Sequence, residues 1–411
     1  MNLELLKPEI QNYINDHLSV DAVQLMFQPS PFPGIEMSEL AEQIQGKQKC
    51  RQKLPEWYST PGIYYPPSRA LEQCSSSGTA AYKTWLAEGD TLADLTGGAG
   101  VDSYFFAKVF KQVFYLERAR LLTKIAAHNL PLLGEDNIRF LSGDGMQLVH
   151  RLGQKLDCIY LDPSRRTRDN KKVFLPRDYE PDFMPHLQGL TQLARRVLIK
   201  TSPLIDIHFG INAFRYVRAV HIVSVRNECK EIVWVLGREP DPDPTITCVN
   251  LHRGDQMLFQ TDPPFTYRLS EETDAPPAKL SEPLDFLFEP NASILKSGAF
   301  KTVGRRFSLP KLHANSHLYT YDFPVPRFPG RTFKILEQFT VREFGKRFKG
   351  QRVHVSTRNF PERAPAIMKK YGLTAGGDDY AFFTTNPAGK RVVLWCRKPE
   401  DLAKEIARQP D

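Results

Sequence analysis

Three short runs in this chain place carboxylates and glycines where a ligand could be held. The first is Asp94-Leu95-Thr96-Gly97-Gly98-Ala99-Gly100-Val101-Asp102, where an apolar run gives way to a helical stretch. Its glycines let the backbone turn sharply and approach a ligand closely. The spacing is Asp-x-x-Gly-Gly-x-Gly rather than Gly-x-Gly-x-x-Gly, and no Lys-Ser/Thr follows it, so pyrophosphate and triphosphate ligands are disfavoured. An acid at the strand end, Asp94, repels phosphate and suits a ligand with a cationic amino-acid tail. A plain strand-to-helix turn accounts for the same residues taken alone.

The second run ends in Glu117, which follows Asp94 by 23 residues. From the end of the next strand its carboxylate can accept hydrogen bonds from both hydroxyls of a ribose. It can equally cap the helix that begins near Ala119. The third run, Ser142-Gly143-Asp144-Gly145, puts Asp144 where a carboxylate could take an adenine amino group, and a simple turn is an equal account of that tetrapeptide. The three agree in order and spacing, and jointly they predict S-adenosylmethionine. The cofactor-binding candidates are Asp94, Gly97, Gly98, Gly100, Asp102, Glu117 and Asp144.

The fourth apolar run ends in Asp162-Pro163-Ser164-Arg165-Arg166, at the sheet edge where open α/β folds bind ligands. A carboxylate followed by a proline carbonyl can accept both hydrogens of an amino group and hold its lone pair toward a methyl donor. Asp162, Pro163 and Arg165 are the catalytic candidates. Arg165, Arg166, Arg168, Lys171 and Lys172 surround the single Asp169 in a basic loop whose guanidinium groups can stack on bases or grip phosphate. Lys200, in Lys200-Thr201-Ser202-Pro203 at the end of the fifth run, faces the same cleft. Arg166, Arg168 and Lys200 are the substrate-binding candidates. The ten histidines form no metal-spaced pair, so no metal is expected.

Positioning these residues requires a parallel sheet. Strands are predicted over 91–95, 112–117, 138–141, 157–162 and 196–201, with helical segments between them. Two further β-rich runs, 216–225 and 231–236, lie too close together for a crossover helix and form an antiparallel pair. Five parallel strands followed by an antiparallel hairpin is the succession of the Rossmann-like seven-stranded methyltransferase sheet, not of a dinucleotide dehydrogenase. The fold class is therefore α/β, with an N-terminal helical region and a C-terminal α+β region. The predicted domains are 1–80, mostly helical; 81–238, the sheet; 239–330, a β-rich connection beginning at the linker Glu239-Pro240-Asp241-Pro242-Asp243-Pro244; and 331–411, a small α+β unit. No catalytic motif stands out in 1–80.

A chain of 411 residues with 25% charged and 41% hydrophobic side chains is an ordinary folded protein of two or three domains. No signal-peptide core and no membrane span is present, so a cytoplasmic setting without membrane contact is expected. Six scattered cysteines without a Cys-x-x-Cys pair fit reduced thiols. The net charge of +8 is unevenly placed: residues 331–370 hold eleven Lys/Arg against Glu337, Glu343 and Glu362. Such a face suits a polyanion, and is also what a solvated surface looks like.

With these residues in view, the sequence resembles the bacterial class I S-adenosylmethionine-dependent methyltransferases that carry a C-terminal THUMP-like domain. The resemblance rests on Trp57-Tyr58, Ile63-Tyr64-Tyr65-Pro66-Pro67, Glu72-Gln73-Cys74-Ser75-Ser76, the Asp94 loop and Leu161-Asp162-Pro163-Ser164-Arg165-Arg166. It extends through Glu289-Pro290-Asn291-Ala292, His317-Leu318-Tyr319-Thr320, Phe328-Pro329-Gly330-Arg331, Arg358-Asn359-Phe360-Pro361 and Gly376-Gly377-Asp378. It implies a THUMP-like, ferredoxin-like C-terminal region and an enzyme that methylates RNA, with a tRNA or rRNA base as target. It further implies Asp94, Gly97, Gly98 and Gly100 at the methionine side of the cofactor, Glu117 at the ribose and Asp144 at the adenine. Asp162 and Pro163 would hold the target. Methyltransferases acting on amino groups usually have a second proline and an aromatic residue where this chain has Ser164 and Arg165. Enzymes acting on C5 of uracil need a cysteine where Thr201-Ser202-Pro203 stands, which argues against covalent C5 chemistry. A methyltransferase for a protein or small molecule, or a non-catalytic RNA-binding protein on the same fold, are the alternatives.

Overall fold

The computed structural model describes residues 1–165, 179–253 and 259–406. Arg166, Arg168, Asp169, Lys171 and Lys172 lie outside the described residues, as does the side chain of Arg165. The chain divides into two compact units, one built mainly from 1–225 with 230–244, the other mainly from 261 onward with 245–250.

In the first unit the apolar runs become strands β1 (Thr91–Asp94), β2 (Gln112–Glu117), β3 (Ile138–Ser142), β4 (Leu156–Leu161), β5 (Ala194–Thr201), β6 (Val217–Val225) and β7 (Glu228–Leu236). Their order across the sheet is 3-2-1-4-5-7-6. β1 to β5 are parallel and β7 runs antiparallel to β5. Strands buried on both faces read as continuous apolar runs rather than alternations, as Cys158–Leu161 and Val197–Ile199 do. A two-residue turn joins β6 to β7, with Arg226 and Asn227 both at positive φ (51° and 62°), the backbone that a tight hairpin demands. The order reverses between β1 and β4, and their carboxyl ends flank the crevice where open α/β sheets bind ligands.

Helices cover the sheet, among them Val101–Ala107 after β1, Arg120–Leu132 after β2 and Gly145–Arg151 after β3. The N-terminal region is helical as expected. Helices Pro8–Asp16 and Met37–Lys53 bury Ile10, Ile14, Leu40 and Ile44 in a small core of their own. The last helix before β1, Ser77–Thr84, starts with a capping box in which Ser76 and Thr79 each take the other's backbone N–H.

The second unit contains a six-stranded sheet of β8 (Phe286–Pro290), β9 (Tyr319–Tyr321), β10 (Gly330–Thr340), β11 (His354–Thr357), β12 (Asp379–Thr385) and β13 (Arg391–Arg397). Its order is 9-8-10-13-12-11. Helices Val341–Arg347 and Ala364–Tyr371 close over Phe339, Phe344, Phe348, Val353, Ile367 and Trp395. No helix among the described residues is long and apolar enough to cross a membrane.

Candidate active site

A cleft of about 870 Å³ opens at the carboxyl ends of β1 to β5. Its wall includes Thr96 to Ala99, Asp102, Glu117, Asp144, Asp162, Pro163 and Lys200. The loop after β1 is folded tightly. A Cβ on Gly97 would stand 2.2 Å from the ring of Tyr115, so only glycine fits there. The Gly98 N–H donates to Glu117 Oε2 at 2.9 Å, and the Gly98 carbonyl accepts from the Tyr115 hydroxyl at 2.8 Å. Glu117 Oε1 also accepts from the Ala119 N–H at 2.7 Å. The carboxylate thus ties the backbone just before its helix and braces the loop, and each oxygen keeps a lone pair for a ligand hydroxyl. Asp144 caps the next helix by accepting from the Met146 N–H at 2.8 Å and remains exposed in the cleft.

Two expected cofactor residues are not on the cleft wall. Asp94 is buried beneath the loop. Its Oδ1 accepts from the Thr96 N–H at 3.0 Å and its Oδ2 from the Ser103 hydroxyl at 2.6 Å. Burial pushes its carboxyl up to about 7, against the hydrogen bonds from Ser103 and Thr96 that favour the ionised form. Asp94 therefore shapes the loop, and the carboxylate facing the ligand space is Asp102. Gly100 likewise packs inward, at φ +83°, with Leu130 and Ala126 within about 3.4 Å of where a Cβ would lie.

Behind Asp102 lies a buried charge network. Lys83 Nζ, fully buried, stands 3.2 Å from Asp102 Oδ1 and donates to Glu231 Oε1 and Ser75 Oγ, each at 2.9 Å. Asp102 Oδ2 accepts from Ser75 and Tyr160 hydroxyls, each at 2.9 Å. Burial works against the Asp102 charge, yet Lys83 and Lys200 hold its carboxyl below the usual range. Burial likewise works against the Lys83 ammonium, and Asp102 and Glu231 hold it above its ordinary value. Glu231 is pushed upward by burial.

On the cleft floor Lys200 Nζ donates to Asp162 Oδ2 at 2.5 Å. The Asp162 N–H donates to Thr96 Oγ1 at 2.7 Å, which ties the end of β4 to the loop after β1. Lys200, one of the substrate-binding candidates, is largely buried and paired. Beyond Pro163, Ser164–Arg165 forms a two-residue ladder with Tyr179–Glu180, and Glu180 pairs with Arg118 at 2.5 Å on the cleft rim.

Residues 286–329 match the family model of a ferredoxin-like domain, and residues 330–398 that of a THUMP-like domain. The whole chain matches the crystal structure of a chain from Porphyromonas gingivalis W83 assigned as a methyltransferase. The two share 31% identity and a TM-score of 0.84, over 96% of this chain and 98% of that one. This chain belongs to the family of S-adenosylmethionine-dependent methyltransferases with a C-terminal THUMP-like domain. Two groups of curated relatives match the chain more distantly. Ribosomal RNA small subunit methyltransferase J of Acinetobacter baumannii is 27% identical over an alignment of 179 residues that covers 35% of this chain. The match spans 64% of that relative's length. An uncharacterized RNA methyltransferase of Streptococcus pneumoniae serotype 4 is 24% identical over 123 residues, 29% of this chain and 27% of its own.

The reading from sequence missed part of this methyltransferase's site. The region 1–80 supplies Arg69, Gln73 and Cys74 to the cleft wall and Ser75 to the charge network. Lys83 and Glu231 were also missed, although Lys83 interrupts a largely apolar stretch, Ala80 to Leu86, and Glu231 opens the apolar run Ile232-Val233-Trp234-Val235-Leu236. A charge inside an apolar run is a signal, because burying it requires a partner.

Proposed function

We propose that this methyltransferase transfers a methyl group to RNA and works in the cytoplasm. The observation that carries the reading is one cleft with two ends. A row of carboxylates, Asp102, Glu117 and Asp144, follows the carboxyl ends of β1, β2 and β3, and the Asp162 and Lys200 pair sits at β4 and β5. The row fits S-adenosylmethionine by the chemistry of its groups. Asp102, its charge held by Lys83, borders the end that takes the amino-acid tail, Glu117 takes the ribose hydroxyls and Asp144 the adenine amino group, while Gly97 and Gly98 keep the wall free of side chains. Bound there, the cofactor supplies a methyl carbon made electrophilic by its sulfonium sulfur. Asp94 and Gly100 support from behind, by shaping the loop.

Asp162 and Pro163 form the target side, with the β4 end fixed by Thr96, so the chain's main contribution is to hold the accepting atom in line. Arg165, Arg166 and Arg168 are proposed to grip the RNA backbone near it. The RNA assignment draws support from the THUMP-like match and from curated relatives named for RNA methylation. The second unit adds six exposed cations, Arg342, Lys346, Lys349, Arg352, Arg363 and Lys369, that form no ion pair among the described residues. Six free cysteines suit a reducing compartment. Among the described residues no group of three His, Cys, Asp or Glu is arranged to hold a metal.

Calorimetric titration with S-adenosylmethionine, beside labelled methyl transfer into RNA, tests the reading. Glu117→Ala should weaken cofactor binding about tenfold, the loss of one or two hydrogen bonds of about 1 kcal/mol each. Undiminished binding in that variant, or label that never enters RNA, would refute it.

A further inference from the structure

The pair on the cleft floor narrows the kind of atom that receives the methyl group. An exocyclic amino group presents two N–H hydrogens, so a pocket built for it offers two acceptors and keeps cations away. Asp162 Oδ1 and the carbonyl of Pro163 could be those acceptors, but Lys200 holds Asp162 Oδ2 at 2.5 Å and so sets a cationic donor directly beside them. Lys200 has donors only, so beside an amine it competes for the same carboxylate and turns N–H against N–H. The positions where amino-directed enzymes carry a second proline and a stacking ring hold Ser164 and Arg165.

A hydroxyl has the complementary inventory, with one O–H to give and two lone pairs to offer. Asp162 Oδ1 receives no hydrogen bond among the described residues and is free to accept an O–H. Lys200 can donate to one lone pair, which leaves the other for the methyl carbon. We infer that the atom methylated is a hydroxyl oxygen, the ribose 2′-hydroxyl of RNA, held by Lys200 and relieved of its proton by Asp162. This rests on the RNA reading above. A lone pair of the hydroxyl oxygen forms the new O–C bond while the methyl C–S bond breaks, and that bond's electron pair stays on sulfur. The hydroxyl proton passes to Asp162 Oδ1 and then to solvent. Lys200 stays protonated, because burial, which alone would lower it, is outweighed by the charges of Asp162, Glu231 and Asp102. It therefore stabilises the negative charge that grows on oxygen instead of removing the proton.

Total RNA from a bacterial strain lacking this gene, the full-length protein and a methyl-labelled donor provide the test. Alkali cleaves RNA only where a free 2′-hydroxyl can attack the neighbouring phosphate. Label in alkali-stable dinucleotides is the expected result. Label released in mononucleotides overturns the inference and leaves RNA as the substrate; no label in RNA, with donor binding intact, overturns the RNA reading and the inference together. Lys200→Met should lower transfer about 100-fold, as loss of one donor to a developing oxyanion does. Its donor Kd, read by calorimetry, should stay within about threefold, since the lysine faces the target and not the row of carboxylates. Lys200→Arg, which keeps the charge and the ion pair, should recover part of the rate. Transfer by Lys200→Met within about threefold of the unaltered protein would sink the inference.

Discussion

Two sets of cations, one in each unit, are held in opposite ways. In the first, Lys83 and Lys200 are withdrawn from water and each is matched by acids: Lys83 by Asp102 and Glu231, Lys200 by Asp162. In the second, Arg342, Lys346, Lys349, Arg352, Arg363 and Lys369 stay exposed without an acidic partner among the described residues, although Arg331 and Arg358 share the buried Glu289. Withdrawn charges cost much to bury and cannot relax, so they fix geometry to fractions of an ångström, which chemistry needs. Exposed charges hold nothing in place; they attract a polyanion by releasing its counterions, and do so without reading sequence.

Four perturbations press on that contrast. Asp162→Ala should have the largest effect, about 1,000-fold less methyl transfer with cofactor binding nearly unchanged; transfer rates beside calorimetric Kd values check it. Lys83→Met leaves Asp102 and Glu231 buried without their cation and should cost about 3–5 kcal/mol of unfolding free energy in urea. Adding Glu231→Gln should return part of that loss, since the second variant removes one of the two stranded charges.

Asp94 gives a pH test within the buried set. With its carboxyl raised to about 7, the native state keeps a proton that the unfolded chain releases above about 4, so its contribution to stability is lost as pH climbs between those values. Asp94→Asn removes that dependence. Relative to the unaltered protein, the variant should gain about 2.5 kcal/mol between pH 5 and pH 8 in urea unfolding. The smallest effect belongs to the exposed set. Replacing Arg342, Lys346 and Lys349 by Gln should weaken RNA binding about tenfold and lower the slope of log K against log salt by about 2, with the unfolding midpoint unmoved. A large stability loss there would erase the distinction between the two kinds of cation.

Much of the first unit was readable before any coordinates. Apolar runs of four to six residues, spaced by helical stretches, sufficed for the sheet, because buried parallel strands write their burial directly into composition. The glycine loop was equally clear, since Gly97, Gly98 and Gly100 cluster where an apolar run gives way to a helical stretch. Roles within the loop were not. Asp94 and Asp102 are both acids in one nine-residue run, and local pattern cannot tell which turns inward. That depends on Ser103 reaching back to Asp94, and on Lys83, Ser75 and Tyr160 converging on Asp102.

Sequence by itself therefore determined the strand succession and the turn chemistry, because each follows from neighbours within about ten residues, and the cofactor class, from the order of three such runs. Tertiary structure alone decided that Lys83 meets Glu231 across 148 positions and that Lys200 closes on Asp162 across 38. Burial makes an unpaired charge expensive, and only the packed fold settles which distant partner relieves it.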